Sequence, residues 1–281
     1  SHVERLRGIE PRIFTVLLGG AAGTLASFDG KGYAVQDGVA KRLGMTSMPM
    51  PSRAMGDHQA EYVCLLGLMA ATCSKIGREV YTLMKQEFGE VEEPVPPGTV
   101  GSSTMPQKRN PKLSQDIIAA AMQVRALVPQ ALESMQTEHE ADRTTSITMN
   151  HALQEASAQM GDILSRMTMM LEGMTLNPER MRQNLDLTDG MIMAETLMLS
   201  LGETIGRQEA HDVIYDAAQA AATGAGNFTE LLEADAKVQA HMTSAQVREL
   251  LDPTAYIGEC AAMARTQADR ARKVAADINA S

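Results

Sequence analysis

Apolar residues recur at helical spacing through most of the chain, and three of these runs are long. The clearest covers about 58–88, where Tyr62, Leu65, Leu66, Met69, Cys73, Ile76, Val80, Leu83 and Met84 trace one stripe. A stripe that broad predicts a helix buried in a bundle. A second run covers about 111–135 and opens on Asn110-Pro111, a pair suited to the N-cap and first position of a helix. Pro129 predicts a kink in it. The third covers about 150–174, with Ile163, Met167, Met170 and Leu171. Ahead of them, Val3, Leu6 and Ile9 predict a helix over 1–12, punctuated by Pro11, and 33–43 reads as a short helix. No N-cap signal and no initiator methionine precede the first pattern, so the chain is expected to start inside a helix, as a piece of a longer protein. After Asn177-Pro178 the elements shorten to 178–185, 191–202, 206–223, 228–234, 244–251 and 257–278. No strand-like alternation of useful length and no internal repeat is visible. The pattern predicts an all-α fold. A long antiparallel helical bundle takes residues 1–175, and a smaller C-terminal helical domain takes 176–281.

Composition sharpens this picture. Aromatics make up only 3% of 281 residues while methionine reaches 21, which favours helix-on-helix packing over a β-sandwich. The formal net charge of -10 argues against nucleic acid, which needs a basic face. Cys64, Cys73 and Cys260 are odd in number and far apart. They predict neither a disulfide frame nor a zinc site, and are expected to pack as small buried hydrophobes. No apolar run is long enough to span a bilayer and no signal peptide is visible. A cytoplasmic setting is the expectation, with no membrane partner.

Between the helical runs lie the polar and glycine-rich stretches where chemistry would sit. Gly19-Gly20-Ala21-Ala22-Gly23-Thr24 offers a phosphate loop or a close packing turn, and it matches no phosphate-binding spacing. Glu87, Glu90, Glu92 and Glu93 read as a solvated acidic end. Thr137 to Asn150 reads as a capped, solvated helix junction. His139-Glu140 there lacks the second histidine of HExxH, so no metal is expected. The densest chemistry lies in Gly101-Ser102-Ser103-Thr104-Met105-Pro106-Gln107-Lys108-Arg109-Asn110-Pro111. A glycine, hydroxyls, cations and an asparagine at a helix N-terminus can bind an anion through free N–H groups, the helix dipole and Lys108. A serine there can take a proton if fixed positive charge stabilises its alkoxide. The other reading is a solvated loop in which Asn110 only caps.

Gly101 to Pro111 resembles the signature loop of the fumarase/aspartase superfamily, GSSxMPxKxNP, with every fixed position present. Gly19–Ala26, Glu87–Val91, Gln136–Glu140, Asn184–Thr188 and Asp252–Gly258 resemble the 3-carboxy-cis,cis-muconate cycloisomerase branch, with adenylosuccinate lyases next. The resemblance implies all-helical homotetramers with sites shared between subunits. It also implies proton abstraction α to a carboxylate with addition or elimination at the β carbon, and no metal or organic cofactor. Carried over position by position, it makes Ser102 the general base and Lys108 its catalytic partner. Ser103, Met105, Asn110, Thr24, Arg53 and Arg143 become contacts to a small di- or tricarboxylate substrate. The chain departs from the branch in two walls. Gly56 stands where an arginine is usual, with Arg53 one turn away, and Thr144–Met149 replaces a tryptophan-rich segment. The resemblance also places a histidine motif before the point where this chain starts. The alternatives are an adenylosuccinate lyase-like C–N lyase and a catalytically silent helical oligomer or assembly fragment.

Overall fold

The computed structural model describes residues 1–280 apart from 96–97, 99–103 and 106–107. It divides into two compact units, Ser1–Leu176 and Asn177–Ser281. The first unit contains α1 (His2–Ile13), α2 (Gly32–Leu43), α3 (Asp57–Leu83), α4 (Lys112–Glu133) and α5 (Arg143–Gly173).

The three long helices carry the unit. Gly67 of α3 faces Val128 of α4, and Gly77 faces Ile117, so α3 and α4 run antiparallel. A Cβ on Gly67 would lie 2.7 Å from Val128 Cγ2; the missing methyl lets the two helices approach closely. Helix α5 turns back again. Its Met170 lies by Ser114 and its Thr148 by Ser134, at opposite ends of α4. Val63, Ala70, Leu113, Ile117, Val124, Ala156 and Ile163 are almost wholly buried between the three. Each large aliphatic side chain there contributes about 2 kcal/mol through removal from water. The all-α expectation holds, with twelve α-helices among the described residues.

Several boundaries differ from the pattern, each for a local reason. Ser1 caps α1 after all: its Oγ accepts from the Glu4 N–H at 3.3 Å, and the Glu4 side chain returns the bond in a capping box. That helix also runs through Pro11 to Ile13 rather than stopping there. Helix α3 ends at Leu83, and the next turn folds back so that Phe88 and Gly89 both donate to the Lys85 carbonyl. Helix α5 begins well before residue 150. Asp142 caps it by accepting from Thr144 N–H at 2.8 Å, and Ser146 and Thr148 return their hydroxyls to carbonyls one turn back. A polar stretch that satisfies its own helix ends reads as a junction in the sequence.

Four strands of two residues each were not foreseen. Strand β1 (Thr15–Val16) pairs in parallel with β2 (Thr46–Ser47), and β3 (Val91–Glu92) pairs antiparallel with β4 (Thr175–Leu176). Two residues are too few to show alternation.

The second unit contains α6 (Pro178–Leu185), α7 (Ala194–Ile205), α8 (Arg207–Ala222), α9 (Phe228–Ala234), α10 (Ala236–His241), α11 (Ser244–Leu250) and α12 (Cys260–Asn279). Leu197, Leu201, Phe228, Leu232, Val238 and Val247 form its core. Helix α12 buries none of its residues. The cysteines do not share one environment: Cys73 is buried, Cys64 half-buried and Cys260 exposed. No described helix is long and apolar enough to cross a membrane.

Candidate active site

Ser102 and Ser103 lie outside the described residues, as does most of 99–107. The closing end of the loop is described. Lys108 donates its N–H to the Met105 carbonyl at 3.0 Å, forming a turn, and Lys112 donates to the Asn110 carbonyl at 2.8 Å. Asn110 is not the cap of α4. The N-cap position is Pro111, which has no side-chain acceptor to offer.

The cap comes from the other side of the loop. Glu93 is buried, and its Oε1 accepts from Leu113 N–H at 2.8 Å. Its Oε2 accepts from Ser114 N–H at 3.0 Å and from Ser114 Oγ at 2.7 Å. One carboxylate thus occupies the positive end of α4. Val91 of β3 and Glu93 just after it are buried, while Glu92 between them is exposed and pairs with Arg109 at 3.2 Å. Glu93 therefore corrects the reading of a solvated acidic run. It also corrects the reading of the helix terminus as an open anion cradle. Leu113 and Ser114 bond Glu93, while Lys112 and Gln115 donate to the Asn110 and Pro111 carbonyls. These four amides of α4 are therefore not open to an anion.

A groove of about 520 Å³ lies beside this end of α4. Tyr81, Lys85 and Gln86 follow from the last turn of α3 and the bend after it, and Met105, Lys108 and Arg109 close it from the loop. Of the predicted residues, Met105 and Lys108 line this groove, and Asn110 lies two residues beyond Lys108 at its α4 side. Lys85 and Gln86 were not singled out from the sequence. They sit near the end of the long apolar stripe, with no motif to mark them.

Thr24, Arg53 and Arg143 are at the other end of the bundle. Gly19 packs so tightly on the next segment that a Cβ would lie 1.8 Å from the Pro51 carbonyl oxygen, and Gly23 lies against Ser52. The run 19–24 is a close-packed turn, closed by the Leu25 N–H donating to the Gly19 carbonyl at 3.1 Å. Gly56 lies against Met135 and Met149, so the segment after Arg53 meets the end of α4 and the start of α5. Thr24, Arg53 and Arg143 are all exposed. At the start of α3, burial pushes the His58 imidazole below its usual value, with Asp57 opposing. Helix α3 has 27 residues, about 40 Å of rise. Within one chain the two groups of predicted residues are therefore kept apart.

A family model described as Lyase matches residues 1–126, and one described as Adenylosuccinate lyase C-terminus matches 190–266. The 3-carboxy-cis,cis-muconate cycloisomerase of Pseudomonas aeruginosa is 36% identical over 265 residues, covering 93% of this chain and 57% of that protein. The crystal structure of 3-carboxy-cis,cis-muconate lactonizing enzyme from Pseudomonas putida superposes with a TM-score of 0.83 at 32% identity. It covers 92% of this chain and 57% of the other. The chain belongs to the fumarase/aspartase superfamily. Another superfamily relative, the N-acetyl-S-(2-succino)cysteine lyase of Enterococcus italicus, is 35% identical over 92% of this chain and 57% of its own. The chain spans a little over half the length of these relatives.

Proposed function

We propose that the protein is a lyase or cycloisomerase acting on a small di- or tricarboxylate, most like 3-carboxy-cis,cis-muconate cycloisomerase. The observation that carries this is the intact loop Gly101–Pro111, within a chain similar over 93% of its length to a cycloisomerase of that name. Residues 1–175 are read as the domain that carries loop 98–111, and 176–281 as the smaller domain.

In this reading Ser102 takes the proton α to a substrate carboxylate. In elimination the electron pair moves into the carboxylate and returns to form the double bond to the β carbon as the leaving group departs with its bonding pair. In the addition direction, that of lactone formation, the bond at the β carbon forms first, the double-bond pair moves into the carboxylate, and Ser102 returns the proton to the α carbon. Lys108 stabilises the charge that builds on the carboxylate, and Asn110 donates hydrogen bonds to it. Ser103, Met105, Thr24, Arg53 and Arg143 shape and hold the rest of the substrate. The chemistry calls for no metal or organic cofactor.

The distance between the two ends of α3 supports a shared site. If both groups of residues contact one substrate, they come from different copies. Exposed Leu68, Met122, Leu132, Leu164 and Leu171 on the long helices suit such an assembly, and a homotetramer is the state we propose. The setting is read as cytoplasmic.

A second reading, an adenylosuccinate lyase-like C–N lyase, draws on the match of residues 190–266. Ultraviolet assays of the full-length protein on 3-carboxy-cis,cis-muconate and on adenylosuccinate separate the two. Turnover of the first alone is expected. Turnover of the second alone would replace the first reading, and turnover of neither would remove both substrates.

A further inference from the structure

Helix α4 gives one face to α3 and α5, where Leu113, Ile117, Ala121, Val124 and Ala131 are buried. A second stripe runs beside that face. Ile118, Met122, Arg125, Pro129 and Leu132 recur at alternating i+4 and i+3 steps, the spacing of a helix-packing seam. Met122 is 54% exposed and Leu132 47%. Only Arg125 interrupts the apolar run.

Arg125 is not an ordinary surface cation. It is half-buried, and its Nη1 is shut off from solvent. No described residue accepts a hydrogen bond from its guanidinium or pairs with it. A buried guanidinium nitrogen with no acceptor is costly, so native structures supply one. Arginine has only donors, and a carboxylate is the acceptor that suits it best. Two acids of the long helices are already committed, since Asp116 and Asp162 each bond Arg166 at 2.7 Å. Glu133 of α4, with Glu155 and Glu172 of α5, are exposed and have no counterion among the described residues. The chain thus carries on its own long helices both an arginine lacking an acid and acids lacking a cation.

We propose that the Ile118–Leu132 seam of α4 packs on a long helix of a second copy, and that Arg125 takes a carboxylate of that copy and so fixes the register of the packed helices. This rests on the proposed association of copies and names the residue that sets how they meet. A charged side chain within an apolar seam disfavours every register that leaves it unpaired.

The test uses the full-length protein, with light scattering over a dilution series. Arg125→Glu should weaken assembly at least about tenfold in dissociation constant and leave the helical circular dichroism unchanged. Arg125→Lys, which keeps the charge, should lie nearer wild type. Refolded together with Glu133→Arg, Glu155→Arg or Glu172→Arg protein, the Arg125→Glu protein should recover assembly with at least one of them. A second measurement leaves Arg125 in place and decides the matter if Arg125→Glu does not fold. In Met122→Cys protein, the introduced thiol should react with a maleimide at least about tenfold more slowly than glutathione while the protein is assembled, and lose that protection on dilution into single chains.

Assembly of Arg125→Glu as tight as wild type, no recovery with any of the three partners, or an introduced thiol as reactive as glutathione in the assembled protein would each overturn the assignment. A thiol that stays protected in single chains would show that the rest of the same chain covers the seam, and would overturn it too. Wild type that never associates would overturn the proposed assembly as well, whereas an assembly indifferent to Arg125 would overturn only this seam.

Discussion

Asp252 shows how much one exposed carboxylate can organise. It accepts from Thr254 N–H at 3.0 Å, Thr254 Oγ1 at 2.8 Å and Arg182 Nη1 at 3.0 Å. The Thr254 backbone bond, then Arg182 and the Thr254 hydroxyl, hold its pKa down from 3.8 to about 2. A carboxylate with a depressed folded pKa stabilises the fold fully above its unfolded value and loses that contribution as pH falls through the folded one. Acid unfolding of the second unit, followed by circular dichroism, should therefore steepen between about pH 4 and pH 2. Asp252→Asn should lower stability at neutral pH and flatten that interval; an unchanged acid limb would show that the cluster contributes nothing. At Gly19, a methyl group would meet the Pro51 carbonyl oxygen at 1.8 Å. Gly19→Ala should lower stability by at least about 2 kcal/mol in a denaturant titration, because backbone must move. Single residues were unevenly legible. Small residues at 19–24 signalled a close turn, since only glycine tolerates that approach. Glu93 gave no signal, because a buried carboxylate and a solvated one look the same in an acidic run.

Among the elements, the link between β3 and α4 matters most, since it fixes both ends of the loop. Glu93→Ala would leave two amides and a hydroxyl buried without their acceptor. Losing charge-assisted bonds to buried donors should cost on the order of 3 kcal/mol. Hydrogen exchange at Leu113 and Ser114 should speed up before global unfolding. Protection equal to wild type at both amides would contradict the clasp. The long helices were legible because their apolar stripes repeat over many turns. The N-terminal turns of α5 were not, because hydroxyl side chains hide a helix whose carbonyls they satisfy. Helix α10 and the two-residue strands were too short to carry a period at all.

At the scale of the molecule, the superfamily was legible from one loop, and the helical class from periodicity and methionine content. The arrangement of the site was not, because spacing along the chain says nothing about which end of a bundle a residue reaches. Arg143 and Lys108 turn out to be separated by the length of α4, whose 22 residues rise about 33 Å. If copies share sites, two inactive variants can repair each other. Ser102→Ala and Arg143→Ala proteins, unfolded and refolded together, should regain a measurable fraction of wild-type turnover, because some mixed sites take an intact Ser102 from one variant and an intact Arg143 from the other. A mixture no more active than its two components would place both residues in the same chain's site and contradict the shared arrangement. The central claim, that loop 98–111 carries the chemistry, is tested most directly by Ser102→Ala in the full-length protein. With its true substrate kcat should fall about 10³-fold while KM changes little, as expected for loss of a general base; kcat within tenfold of wild type would contradict the assignment.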